Sequence, residues 1–171
     1  MDEKLETQFL NGLEENQHKL LRICSVYAKD NEDSKDLFQE VLVQIWKSLP
    51  GFNGDAALAT WMFRITLNVC LRFQSKDQKK RKKVFRMDSV RISNLPAEVA
   101  DSEDRERLMQ LRNCIKTLNE ADKAVITLYL EALPYKEISN VLGLKENTVA
   151  VKVKRIKAKL LNCVNGSHDG R

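Results

Sequence analysis

Leu37, Phe38, Val41, Leu42, Ile45, Trp46 and Leu49 fall at i, i+1, i+4, i+5, i+8, i+9 and i+12. That is the apolar stripe of an amphipathic helix. Ser34 is the expected N-cap, with Asp36 in the first turn, and Pro50-Gly51 is the expected stop. Upstream, Phe9, Leu13, Leu20, Cys24 and Tyr27 keep helical intervals. Asn16 and Gln17 weaken the middle of that segment, so one imperfect helix or two both fit, and residues 30–33 read as a polar turn. Thr60 is placed as the N-cap of a further helix reaching about Gln74. After residue 104, Leu108, Leu111, Ile115 and Leu118 restart a helical face. Asn119 with Asp122 three residues later resembles a capping box. Val125, Leu128 and Tyr129 carry the next helix, Pro134 opens a short one and Gly143 ends it. Asn147 or Thr148 begins the last, with Val149, Val153, Ile156 and Leu160 on one face. No segment sustains a period of two, so the fold class is all-α.

Composition agrees with long helices and few turns: 171 residues hold only 6 Gly and 3 Pro, and 43% are hydrophobic, enough to bury a core. No run of 18 apolar residues occurs, so no membrane insertion is expected. Residues 1–10 are acidic and have no apolar core of a signal peptide. Between 74 and 91 eight bases face two acids, and periodicity is lost from 84 to 104. Two small helical domains joined by a flexible basic linker result: 5–80, a linker at 81–104, a second domain at 105–162, and a disordered tail at 163–171.

Charge is divided unevenly. The total is +5, yet residues 1–40 hold ten acids against five bases, a net of −5, which leaves +10 for the remainder. A polyanion suits the basic part and a different partner the acidic part, although plain solvation explains both equally well. Cys24, Cys70, Cys114 and Cys163 lie 46, 44 and 49 residues apart, with no paired-Cys or Cys/His spacing for zinc. They read as free thiols in a reducing cytoplasm, the first three as small core residues. His18 and His168 stand in polar surroundings at opposite ends. No acid/base or metal constellation is visible, so neither catalysis nor a cofactor is expected.

Two stretches carry chemistry. Ser139, Gly143 four residues on and Val149 six after that have helix-turn-helix spacing: a small residue at the crossing, a left-handed turn, an apolar plug. The following helix displays Lys152, Lys154, Arg155, Lys157 and Lys159, and residues 145–159 hold six bases against one acid. Lys152, Arg155 and Lys159 share one stripe beside the apolar face. Arginine can read base edges in the major groove, while lysines mostly hold phosphates. In the first half Trp61, Arg64, Asn68 and Arg72 share a helix face. Six of the eleven aromatics lie between 38 and 73. Interleaved rings and bases suit unpaired nucleotides. Phe38, Trp46 and Phe63 are assigned to the core; Phe52 and Trp61, by a Gly-containing loop, are the better candidates for nucleic acid. Asp36, Gln39 and Glu40 make an acidic, amide-rich outer surface on the helix that follows Ser34.

These residues match a known pattern. Asp36-Leu37-Phe38-Gln39-Glu40-Val41, Ile45-Trp46, Phe52-Asn53-Gly54, Thr60-Trp61, Arg64-Ile65 and Asn68 resemble region 2 of bacterial RNA polymerase sigma factors of the extracytoplasmic-function (ECF) type, in the sigma-70 superfamily. Leu133-Pro134-Tyr135, Glu137-Ile138, Leu142-Gly143-Leu144 and Asn147-Thr148-Val149 through Arg155 to Leu160 resemble their region 4. The resemblance implies a protein that binds core RNA polymerase, directs it to a promoter and helps open the duplex. It implies that Asp36, Leu37, Gln39 and Glu40 meet the polymerase clamp. Phe52, Asn53, Trp61, Arg64, Asn68 and Arg72 would take the melted −10 element, and Thr148, Val151, Lys152, Lys154, Arg155 and Lys159 the duplex −35 element. Region 4 would also touch the polymerase flap, and an anti-sigma factor is an expected partner. The recognition helix departs from the family pattern: Ala150, Val151 and Lys152 stand where a basic residue, Ser and Arg are usual, and Ile156 where Ala is usual. Two other readings fit parts of the chain. A dimeric helix-turn-helix regulator explains the second half but leaves the aromatic and basic helix near residue 61 without a purpose; an α-helical enzyme lacks a catalytic cluster.

Overall fold

The computed structural model describes residues 2–77 and 102–166, and among them every regular element is helical. The chain divides into two compact units. The first contains α1 (Glu3–Tyr27), α2 (Asn31–Ser48), a 3₁₀ turn (Leu49–Gly51) and α3 (Leu58–Asp77); the second contains α4 (Ser102–Lys116), α5 (Glu120–Leu130), α6 (Tyr135–Leu142) and α7 (Glu146–Gly166). No helix among the described residues is long and apolar enough to cross a membrane.

In the first unit each helix packs on the other two. Leu20 and Ile23 of α1, Leu37, Val41 and Ile45 of α2, and Met62 and Cys70 of α3 fill the core. The segment 5–28 is one helix, not two. Its doubtful middle is stitched internally: the buried Asn16 amide donates to the Gly12 carbonyl at 2.9 Å. Gly12 also lets α1 approach α3, since a Cβ there would lie 2.8 Å from Leu58 Cδ2. Two helix starts differ from the sequence reading. The N-cap of α2 is Asp30, whose carboxylate accepts from the Asp33 N–H at 2.8 Å, while Asp33 accepts from the Lys29 N–H at 2.9 Å. Ser34 is thus a buried residue inside the first turn, because the acids expected to form a turn supply the cap. Likewise α3 begins at Leu58, so Thr60 lies within it and is buried.

In the second unit α7 packs on α4, α5 and α6 and is the hub. Its inner stripe is Val149, Val153, Ile156 and Leu160, all buried, as the periodicity predicts. The Asn119 cap also forms, accepting from the Asp122 N–H at 2.8 Å. At the other end of α5, the Ala132 N–H donates to the Tyr129 carbonyl (2.9 Å) and the Leu133 N–H to that of Leu128 (3.3 Å), a Schellman ending. Its left-handed position is held by Ala132, at φ 62°. An alanine there costs roughly 1–2 kcal/mol, part of which glycine would return to unfolded-chain entropy. Ala132→Gly is therefore expected to stabilise the second unit by about 0.5–1 kcal/mol, raising its calorimetric midpoint by a few degrees; a lowered midpoint would contradict this account of the turn.

Three boundaries differ in this unit. Helix α4 starts at Ser102, inside the stretch read as linker, and Leu108 on it is exposed. Helix α7 starts at Glu146 and runs to Gly166, into the expected tail. Residues 81–101 of the linker and 167–171 of the tail lie outside the described residues. The cysteine reading is corrected as well. Cys114 on α4 and Cys163 on α7 form a disulfide, a pairing that a separation of 49 residues does not reveal until α7 is seen to return alongside α4. Cys24 and Cys70 are free and buried. A hydrogen bond with Cys70, and then burial, hold the Cys24 thiol well above its ordinary pKa, so it stays protonated and a poor nucleophile.

Candidate nucleic-acid interface

On α3 the 3.6-residue period carries Arg64, Asn68 and Arg72 along one exposed face. Trp61, half-buried at its N-terminal end, meets Phe52 of the preceding loop, ring centroids 5.1 Å apart at 47°. The loop between them is braced: Asn53 Nδ2 donates to Asp55 Oδ2 at 2.7 Å, the Asp55 N–H donates back to Asn53 Oδ1 at 3.1 Å, and Gly54 takes φ 82°. The structure thus gathers Phe52, Asn53 and Trp61 at one end of the cationic face. Phe63 and Phe38 are core, as expected; Trp46 is half-buried, edge-on to Phe9 at 5.1 Å. On α2, Glu40 is exposed and Asp36 and Gln39 half-buried. Leu37 is not part of that surface. It is 0% exposed and belongs to the core, because the apolar stripe of α2 takes it inward.

In the second unit α6 ends at Gly143, φ 69°. Ser139 does more than stay small. Its carbonyl accepts from the N–H groups of Gly143 (2.9 Å) and Leu144 (3.2 Å), and its hydroxyl donates to the Leu144 carbonyl. Val149, fully buried, fills the angle between α6 and α7. Thr148, Val151, Lys154 and Arg155 lie on the exposed side of α7, Val151 at 67% exposure. Lys157 sits 5.4 Å over the Tyr129 ring.

The stripe of Lys152, Arg155 and Lys159 is real, but its charged ends turn to a residue that spacing alone marks only as a capping acid. Asp122 Oδ1 accepts from Lys152 Nζ at 3.4 Å and Arg155 Nη2 at 3.2 Å, and Lys159 Nζ stands 3.8 Å from Oδ2. The Asp122 side chain is 1% exposed, those of Arg155 and Lys159 just over half exposed. A carboxylate so buried is tolerable only when paired.

Two family models match the chain and between them span most of it: Sigma-70 region 2 over residues 13–80 and Sigma-70, region 4 over residues 108–160. The ECF RNA polymerase sigma-E factor of Escherichia coli strain K12 is 27% identical over 158 residues, which cover 86% of this chain and 82% of that protein. The chain belongs to the ECF group of sigma-70 factors. The RNA polymerase sigma-H factor of Pseudomonas aeruginosa is also 27% identical to this sigma factor, over 82% of this chain and 78% of its own. Two solved structures share its fold. CnrH, in complex with the cytosolic domain of CnrY, superposes at a TM-score of 0.69 with 20% identity, covering 94% of this chain and 90% of that one. The sigma factor RpoE from Bartonella quintana, in complex with the anti-sigma factor NepR, gives 0.65 and 19%, covering 96% and 98%. In this sigma factor the first unit carries the region 2 match and the second the region 4 match.

Proposed function

We propose that this sigma factor binds core RNA polymerase through the outer face of α2, with Asp36, Gln39 and Glu40 meeting basic groups of the clamp. The 5–80 unit captures the melted −10 element: one base stacks against Trp61 and Phe52, while Arg64, Asn68 and Arg72 follow the strand. The second unit lays α7 in the major groove of the −35 element through Thr148, Val151, Lys152, Lys154, Arg155 and Lys159, and meets the flap. The segment between the two units joins these contacts across the polymerase. The observation that carries this reading is the exposed Arg64–Asn68–Arg72 face running from the Phe52–Trp61 ring pair; a regulator of intact duplex has no use for it. The protein is not itself an enzyme: chemistry stays with polymerase. An anti-sigma factor is a further partner, as NepR is for the Bartonella quintana relative. The cytoplasm, where promoter and polymerase meet, is the working compartment. Thiol buffers there make the redox state of Cys114–Cys163 a variable to fix in every assay.

Run-off transcription with core polymerase, on fragments upstream of host genes, tests the reading. A promoter-specific transcript dependent on this protein is expected. Equal duplex binding without polymerase, and no such transcript, would favour the dimeric regulator. Asp36→Ala with Gln39→Ala should weaken core binding roughly five- to thirtyfold, as the loss of 1–2 kcal/mol at interface contacts does. Unchanged core affinity, measured by fluorescence anisotropy, would move the clamp contact elsewhere. Leu37→Ala is no test of the interface, since its expected effect is a core cavity worth about 2–5 kcal/mol.

A further inference from the structure

Three cations of α7 share one buried anion. Lys152, Arg155 and Lys159 line up at i, i+3 and i+7, and Asp122, on a different helix, receives all three within 3.8 Å. Asp122 is itself fixed at its base: its N–H donates to Asn119 Oδ1 and its Oδ2 accepts from Asn119 Nδ2 at 3.3 Å. So the anchor cannot swing with the cations it holds. Arg155 gives one guanidinium donor, Nη2, to Asp122 Oδ1 at 3.2 Å and keeps about half of the side chain in solvent (53%). A guanidinium has five donors in a rigid planar fork, so anchoring one of them restricts the directions open to the others. A tethered fork suits base edges, which demand orientation; a free one suits phosphates, which do not. The carboxylate also cancels one of the three charges, lowering the stripe's attraction to any sequence of DNA.

We propose that Asp122 is a specificity-determining positioning residue of the −35 contact: from beneath α7 it orients Arg155 and, with Lys152 and Lys159, trades indiscriminate phosphate affinity for base reading. This rests on α7 being the −35 helix. It assigns a DNA-reading consequence to a residue that touches no DNA.

The experiment uses full-length protein with core polymerase and a pool of promoter duplexes randomised across the −35 region. Enriched bases are counted for wild type, Asp122→Asn and Asp122→Glu. Affinity for one enriched and one scrambled duplex is then followed against salt. Wild type should enrich defined bases. Asp122→Asn should lose about tenfold or more of the discrimination, the scale of one bidentate base contact. It should bind the scrambled duplex more tightly, its log–log salt slope steeper by about one. Asp122→Glu, which keeps the charge, should return the slope to the wild-type value. A purely structural role would weaken both duplexes alike with the slope unchanged, and that result, or unaltered base preferences in Asp122→Asn, overturns the proposal. A wild type that enriches no −35 bases at all overturns the α7 reading itself, which is a separate failure. Should Asp122→Asn not fold, ¹⁵N relaxation of the Arg155 side chain in the wild type decides: a restrained guanidinium supports the tether, and a freely rotating one removes it.

Discussion

Trp61→Ala should slow promoter opening by roughly five- to 150-fold, the range that corresponds to losing one base–aromatic stack of about 1–3 kcal/mol. The deficit should appear in permanganate reactivity of the melted strand, with core binding unchanged, because Trp61 lies on α3 and the proposed clamp contacts lie on α2. A stability effect will accompany it, since the Trp61 ring packs against Phe52 at 5.1 Å. Trp61→Phe separates the two. It keeps a ring on which a base can stack and a partner for Phe52, so it should retain most of the opening rate. A template with an unpaired −10 bubble adds a second check. If Trp61 captures an unpaired base, Trp61→Ala still binds the bubble less tightly. If it only braces the loop, the bubble restores full binding. Wild-type opening rates for Trp61→Ala would sink the assignment.

What the sequence discloses and what it hides follow from the range of the forces involved. Helix periodicity is local, so the stripe of α2, the inner face of α7 and the turn at Gly143 are legible. Helix ends are less so, because several residues compete to cap. Asp30 and Ser34 are both good N-caps, and only the structure shows Asp33 reaching back to Lys29 to favour Asp30. Resemblance puts Leu37 on an interface although its own spacing assigns it to the buried stripe; the periodicity is the better guide. The exposed face of α3 is legible because its four residues lie on one helix. The Asp122 cluster is not, because it joins residues 30 and 33 positions apart on different helices. The Cys114–Cys163 bond is hidden for the same reason, and the polar sequence of the tail, with no apolar stripe to hold it, predicts fraying where α7 in fact continues.

That bond should dominate the stability of the second unit. Within α4 only Cys114 and Ile115 are buried, while Leu108 and Met109 are exposed at 53% and 64%. Apolar burial alone therefore holds α4 weakly, and the covalent link to α7 supplies much of its attachment. Closing a loop of 49 residues removes unfolded-chain entropy worth about 4 kcal/mol, of which native disulfides commonly deliver about 2–4. Reduction, or Cys163→Ser, should accordingly lower the second unit's melting midpoint by roughly 10–30 °C. Amide exchange should accelerate first in α4, the helix of that unit with the smallest share of buried residues. The first unit is an internal control. Its Cys24 and Cys70 are free, and its midpoint should not move with reductant. It should respond to pH instead. Folding raises the Cys24 pKa, so that thiol's contribution is intact below the ordinary thiol range and is lost as pH climbs above it. Calorimetry with and without dithiothreitol distinguishes the two units. A second transition unmoved by reductant would mean that packing alone holds α4 and that the disulfide adds nothing to its attachment.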